Sequence, residues 1–156
     1  MLQINARQAS RQNFSKYGKF VSRPTTEPTA QSKEFKFWSD LTHYHIKGDS
    51  EIGICTIFPQ SKLTVASMER HTGSPEILIP GDHPFLVPLL LDGEESERTG
   101  VFYVDIGQAI VIDRGVWHGA CLPVSQKESS YFVIFKQGTP EQDVEKKDIN
   151  PVEVIQ

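Results

Sequence analysis

From Phe35 onward the chain is a succession of short apolar runs cut by turn residues, and this pattern limits the fold more than any other feature. The runs are FKFW, EIGICTIF, KLTVASM, EILIP, FLVPLLL, GVFYVDI, AIVI and SYFVIFK. Gly, Pro, Asp and Ser break them at KGDS, FPQS, HTGSP, PGDHP, LDGEES and DIGQ. Runs of this length, rich in β-branched and aromatic residues, read as strands, and about eight of them at short spacing predict an all-β sandwich or barrel. One short helix is expected before them, capped by Ser10, running through RQNFSKY and stopped by Gly18. The stretch VSRPTTEPTAQSKE reads as an exposed connector. The expected division is one domain over 1–156, with helix and connector in 1–34, the β-barrel core in 35–138 and a C-terminal segment in 139–156. That last segment is polar and then briefly apolar, suited either to a terminal strand or to fraying.

A length of 156 residues suits one domain with a sizeable core, and 38% hydrophobic with 23% charged residues suits a folded, water-soluble chain. The formal charge is −4, and the basic residues are scattered among acidic ones, so neither a nucleic acid nor an anionic membrane surface is an expected partner. The longest apolar run, FLVPLLL, is too short to span a bilayer. Two cysteines, Cys55 and Cys121, are too few for a disulfide framework and read as buried free thiols in a reducing, cytoplasmic location.

The chemistry concentrates in MERHTGSPEILIPGD. Alternate side chains of a strand share a face, so Glu69 and His71 point together while Arg70 points oppositely. The turn TGSP sends the chain back, and Glu76 opens the returning strand near His71. Carboxylates and imidazole on a half-buried hairpin require partners. A metal ion is one, and an ordinary hydrogen-bonded pair is the other. Because a hairpin alone rarely surrounds an ion, a donor from a distant segment is needed, and the second polar island is GQAIVIDRGVWHG.

Both islands resemble the two signature stretches of cupins, jelly-roll barrels built as a double-stranded β-helix. Glu69, His71 and Glu76 follow the spacing of the first signature, with Glu69 in place of its first His; Gly107, Asp113, Gly115 and His118 follow the second, with Asp113 in place of Pro. Within cupins the chain resembles the ureidoglycolate lyase family, through NFSKYG, FWSDL, MERH, ILIP, HPFLV and RGVWH. Three positions depart from that family: Glu76 stands where Gln is common, Asp113 where His is common, and Gly119 where a second His often follows the first.

The resemblance implies a metal-dependent enzyme that splits a small ureido or hydroxy acid, ureidoglycolate, into glyoxylate and urea, and a homodimer. Glu69, His71, Glu76 and His118 would be the ligands of a divalent ion, and two imidazoles with two carboxylates suit Ni, Zn, Mn or Fe. Glu69 or Glu76 would act as the base. Lys136 stands where the family often has Arg and is a candidate for the substrate carboxylate; Arg114, His83 and Trp117 are further candidates for substrate binding. For the last four, a solvated lysine, a structural arginine, a loop histidine and a core tryptophan are the plainer readings. Another cupin enzyme (a sugar-acid isomerase or epimerase, or a dioxygenase) and a ligand-binding cupin without catalysis remain open alternatives.

Overall fold

A computed structural model describes residues 1–156, and nearly all of its regular structure is β. In chain order the strands are β1 (Leu2–Asn5), β2 (Arg7–Gln8), β3 (Gly18–Val21), β4 (Ala30–Gln31), β5 (Lys36–Phe37), β6 (Ser50–Ile57), β7 (Thr64–Arg70), β8 (Glu76–Pro80), β9 (Phe85–Leu90), β10 (Gly100–Val104), β11 (Ala109–Ile112), β12 (Trp117–His118), β13 (Leu122–Pro123), β14 (Ser129–Lys136) and β15 (Glu145–Ile155). Two short helices, α1 (Arg11–Phe14) and α2 (Thr139–Gln142), complete the order with a 3₁₀ turn at Ser96–Arg98.

The strands form an eight-stranded sheet, in the order β1-β15-β7-β12-β9-β10-β2 with β13 beside β9, and a five-stranded sheet, β3-β11-β8-β14-β6. The two sheets face each other as a jelly-roll barrel of cupin type. Between them lies a core that includes Leu78, Phe85, Val87, Leu89, Phe102, Val104, Ile110 and Ile112. The alternate residues of β9, Leu86 and Leu90, pack on the other face of the larger sheet with Leu63, Met68, Val101, Trp117 and Val154. β9 is therefore buried on both faces, which is why its sequence is an unbroken apolar run.

The Ser10 cap forms as expected. Its hydroxyl accepts from the Asn13 N–H at 3.1 Å while the Asn13 side chain accepts from the Ser10 N–H at 2.8 Å. The helix it starts is only one turn long, and its purpose is packing. Phe14 and Tyr17 are fully buried and meet Phe102 edge to face, with ring centroids 5.6 Å apart in each case.

Two expectations need correction. The barrel is not confined to 35–138, because β1, β3 and β15 are integral members of the sheets. Of the two outcomes open for the C-terminal segment, the terminal strand is the one that forms: β15 runs eleven residues, antiparallel to β7 and parallel to β1. Conversely, FKFW contributes only Lys36–Phe37, an exposed two-residue ribbon with β4. No helix is long and apolar enough to cross a membrane.

Candidate metal centre

Strand pairing brings the two polar islands together. Glu69 on β7 and His118 on β12 are direct cross-strand partners, and the Gly115 N–H, in the turn before β12, donates to the His71 carbonyl at 2.8 Å. Alternation along β7 places Glu69 and His71 inside the barrel. It sends Arg70 outward, where its guanidinium lies 4.6 Å from the Trp117 ring centre and pairs with Glu145 and Asp92. One ligand atom each from Glu69, His71 and His118 lies within 4.8 Å of the others.

Glu76, first residue of β8, approaches the same two rings. Its Oε2 is 3.0 Å from His118 Nε2 and 3.5 Å from His71 Nε2. Despite those distances none of the three atoms has a hydrogen bond of acceptable geometry, and all three are shut off from solvent. His71, Glu76 and His118 are only 5%, 8% and 7% exposed. Buried polar atoms without hydrogen bonds are costly, and these three meet only as the close charge pairs Glu76–His118 and Glu76–His71, an arrangement that a cation between them would satisfy. Two metal–ligand bonds of about 2.1 Å, opened between a right angle and the tetrahedral angle, separate their donor atoms by about 3.0–3.4 Å. The Glu76–His118 spacing falls in that range, the Glu76–His71 spacing lies just beyond it, and a Glu69 oxygen comes within 4.8 Å of both imidazoles, so the residues fit a divalent cation.

The His71 tautomer is fixed for this task. Its Nδ1–H donates to the Asp143 carbonyl at 2.7 Å, which leaves the Nε2 lone pair facing Glu76 and His118. The Asp143 side chain simultaneously accepts from the Thr72 N–H at 3.1 Å and the Gly73 N–H at 2.8 Å, clamping the β7–β8 turn. Burial pulls the His71 imidazole down, but the Glu76 carboxylate and the Asp143 carbonyl outweigh it and hold His71 above its ordinary value. Burial pushes the Glu76 carboxyl up, and the charges of His118 and His71 overcome it, bringing Glu76 down to about 2.

These shifts make part of the stability of the metal-free protein depend on pH. His71 has a raised folded value, so its contribution is complete below its ordinary 6.5 and is lost as pH rises through the higher folded value. Glu76 has a depressed folded value, so its contribution is complete above its ordinary 4.5 and is lost as pH falls toward about 2. Metal-stripped protein is accordingly expected to melt highest between pH 4.5 and 6.5, with Tm falling on both sides. A Tm series in chelator that climbs steadily through pH 8 would contradict this assignment.

Beside the cluster lies an open cavity of about 710 Å³, walled by Glu69, His71 and Glu76 together with Glu51, Cys55, Tyr131, Phe135 and Lys146. The volume is ample for a small acid. Four sequence candidates lie elsewhere. Lys136 is exposed and falls on the outward face of β14, since Tyr131, Val133 and Phe135 are the residues facing the cavity. Arg114 borders a separate depression with His43, Tyr44, His45 and Asp113, and donates to the His45 carbonyl at 2.7 Å. His83 lies beyond Pro80, at the far end of β8 from Glu76, about 13 Å along a strand rising ~3.3 Å per residue. Trp117 packs in the outer core, its Nε1–H donating to Asp92 at 3.0 Å. At Gly119 a side chain would point toward Val65 and Pro88 rather than the cluster, so a histidine there would not complete the ligand set.

Two residues escaped the sequence reading, Asp143 and Lys146. The alternation of Val144 and Lys146 was a faint cue for a strand; nothing local announced that Asp143 reaches Thr72.

With this geometry in view, the relatives are informative. The family model described as ureidoglycolate lyase matches residues 1–155. The chain belongs to the ureidoglycolate lyase family. Among curated proteins a ureidoglycolate lyase of Pseudomonas savastanoi pv. phaseolicola is 33% identical over 79 residues, which is 49% of this chain and 46% of that protein. The matched stretch thus spans about half the length of the curated relative. Among solved structures, a dTDP sugar isomerase from Desulfovibrio desulfuricans aligns with a TM-score of 0.53 at 15% identity, covering 83% of this chain and 81% of the other. A TDP-fucose-3,4-ketoisomerase from Campylobacter jejuni aligns at 0.49 and 12% identity, over 81% and 87% of the two chains. The first of these likenesses establishes the barrel fold for this member of the ureidoglycolate lyase family, and no more than the fold.

Proposed function

We propose that this chain is a metal-dependent lyase that cleaves ureidoglycolate to glyoxylate and urea. The observation that carries the reading is the convergence of three buried donor atoms that make no hydrogen bond, on His71, Glu76 and His118, the first two of which also wall an open cavity, in a chain matched by the family over nearly its whole length. Glu69, His71, Glu76 and His118 would hold the divalent ion, with Ni, Zn, Mn and Fe all compatible with the donor set. When bound, such an ion lowers the pKa of a hydroxyl it contacts.

The carboxylates divide the remaining work. Glu76 is enclosed between two imidazoles and held at about 2, which makes it a poor proton acceptor near neutrality. Glu69 is less buried and lines the cavity, so it is the better placed base: it would take the substrate hydroxyl proton as the hydroxyl becomes a carbonyl and the C–N bond breaks, and hand that proton to the departing nitrogen so that urea leaves neutral. The free thiols of Cys55 and Cys121 agree with a reducing, cytoplasmic setting. A homodimer is supported by Ile52, Ile54 and Phe132, which form an exposed apolar face on the edge strand β6 and its neighbour β14.

The test uses untagged protein loaded in turn with each of the four ions and incubated with racemic ureidoglycolate, with glyoxylate as the readout. Metal-dependent release that stops after one enantiomer is consumed is the expected result. Glu69→Gln should lower kcat by roughly a hundredfold or more. Absence of glyoxylate with all four ions would end the lyase reading.

A further inference from the structure

The cavity is strongly acidic for a site that is to receive an acid. Glu51, Glu69 and Glu76 all border it, and Lys146 is the one basic side chain (Lys or Arg) that does. Lys146 also borders the smaller recess next to His118 and Glu69. Its placement follows from register. On β15 it is the direct cross-strand partner of Glu69, and Glu69 is in turn the partner of His118, so Lys146, Glu69 and His118 form one row across β15, β7 and β12. Alternation confirms the face. The neighbours of Lys146 point outward, Glu145 to Arg70 and Lys147 to the Trp117 ring, whose centre is 4.5 Å from its Nζ.

Despite standing opposite Glu69, Lys146 takes part in none of the ion pairs of the molecule. Lys146 is exposed and borders the cavity. Lysine is suited to such a position: a compact charge on a flexible stem meets an anion without demanding one approach angle.

We propose that Lys146 is the specificity residue for an anionic ligand, pairing with the carboxylate of a small 2-hydroxy acid while the hydroxyl-bearing carbon faces the Glu69–His71–His118 cluster. The role is the one the sequence suggested for Lys136, moved to a strand whose register points inward. It deepens the lyase reading by naming the group that recognises the acid end, although the recognition itself does not require that reaction.

The experiment separates the two. Calorimetry on metal-loaded protein compares glycolate with glycolamide, which differ in charge and share the hydroxyl, and kinetics on ureidoglycolate run in parallel. Wild type is expected to bind glycolate at least tenfold more tightly than glycolamide. Lys146→Met should erase most of that preference with metal content unchanged, and Lys146→Arg should restore part of it. For turnover, Lys146→Met should raise KM about tenfold and change kcat less than threefold. A wild-type protein indifferent to the charge, or a Lys146→Met variant that keeps the preference at normal metal content, would overturn the assignment. Lysine-dependent glycolate binding without glyoxylate release would defeat the lyase reading and leave Lys146 in its role.

Discussion

Substituting His118 by alanine is expected to strip the divalent ion from the protein and to abolish glyoxylate release. His118 belongs to the donor cluster with Glu69 and His71, and its Nε2 lies 3.0 Å from the Glu76 carboxylate, so removal deletes one donor and loosens another. Loss of a residue that merely orients a metal ligand costs about 10–100-fold in affinity, so loss of a ligand should reach at least the upper end. Elemental analysis after gel filtration reads this directly. Arg70→Ala is the natural control from the same hairpin: its guanidinium serves Trp117, Glu145 and Asp92 on the outer face, so metal content should hold while stability slips modestly. Full stoichiometry and turnover in His118→Ala would remove His118 from the ligand set.

The second large effect concerns a residue far from the chemistry. Gly18 opens β3 with φ at +155° and pairs with Ile112 of β11. A Cβ there would stand 1.8 Å from the Val111 carbonyl oxygen, a clash with backbone that no side-chain rearrangement relieves. Gly18→Ala is expected to destabilise the fold by about 3 kcal/mol, read as a lowered denaturation midpoint. A loss below ~1 kcal/mol would mean that β3 detaches from the barrel at little cost.

The sequence reading treated Gly18 as a helix stop, and the contrast shows what was legible. Strands with concentrated apolar character, such as EILIP, AIVI and SYFVIFK, coincide with β8, β11 and β14 because burial demands those residues wherever the strand sits. β12 and β13 are two residues each and carry no periodicity, and β1 and β15 are largely polar where they face solvent, so only their pairing identifies them. The cluster was legible for a similar reason. Glu69 and His71 share a face by strand period, and the resemblance of the second island to a cupin signature pointed to His118. Lys136 went astray because YFVIF is apolar on both faces and hides which alternate set looks inward. Lys146 was invisible until the β7–β15 register was known.

The Asp143 clamp has a consequence for how the protein is made. The hairpin bearing Glu69, His71 and Glu76 leaves the ribosome some seventy residues before the carbonyl that orients the His71 ring and the carboxylate that ties down Thr72 and Gly73. Until that later stretch emerges and lies down beside β7, neither the ring orientation of His71 nor the nitrogen that carries its proton is fixed. A cluster that holds an ion in the finished protein would thus be completed only at the end of synthesis, and a nascent chain stalled short of Asp143 is expected to bind that ion more weakly.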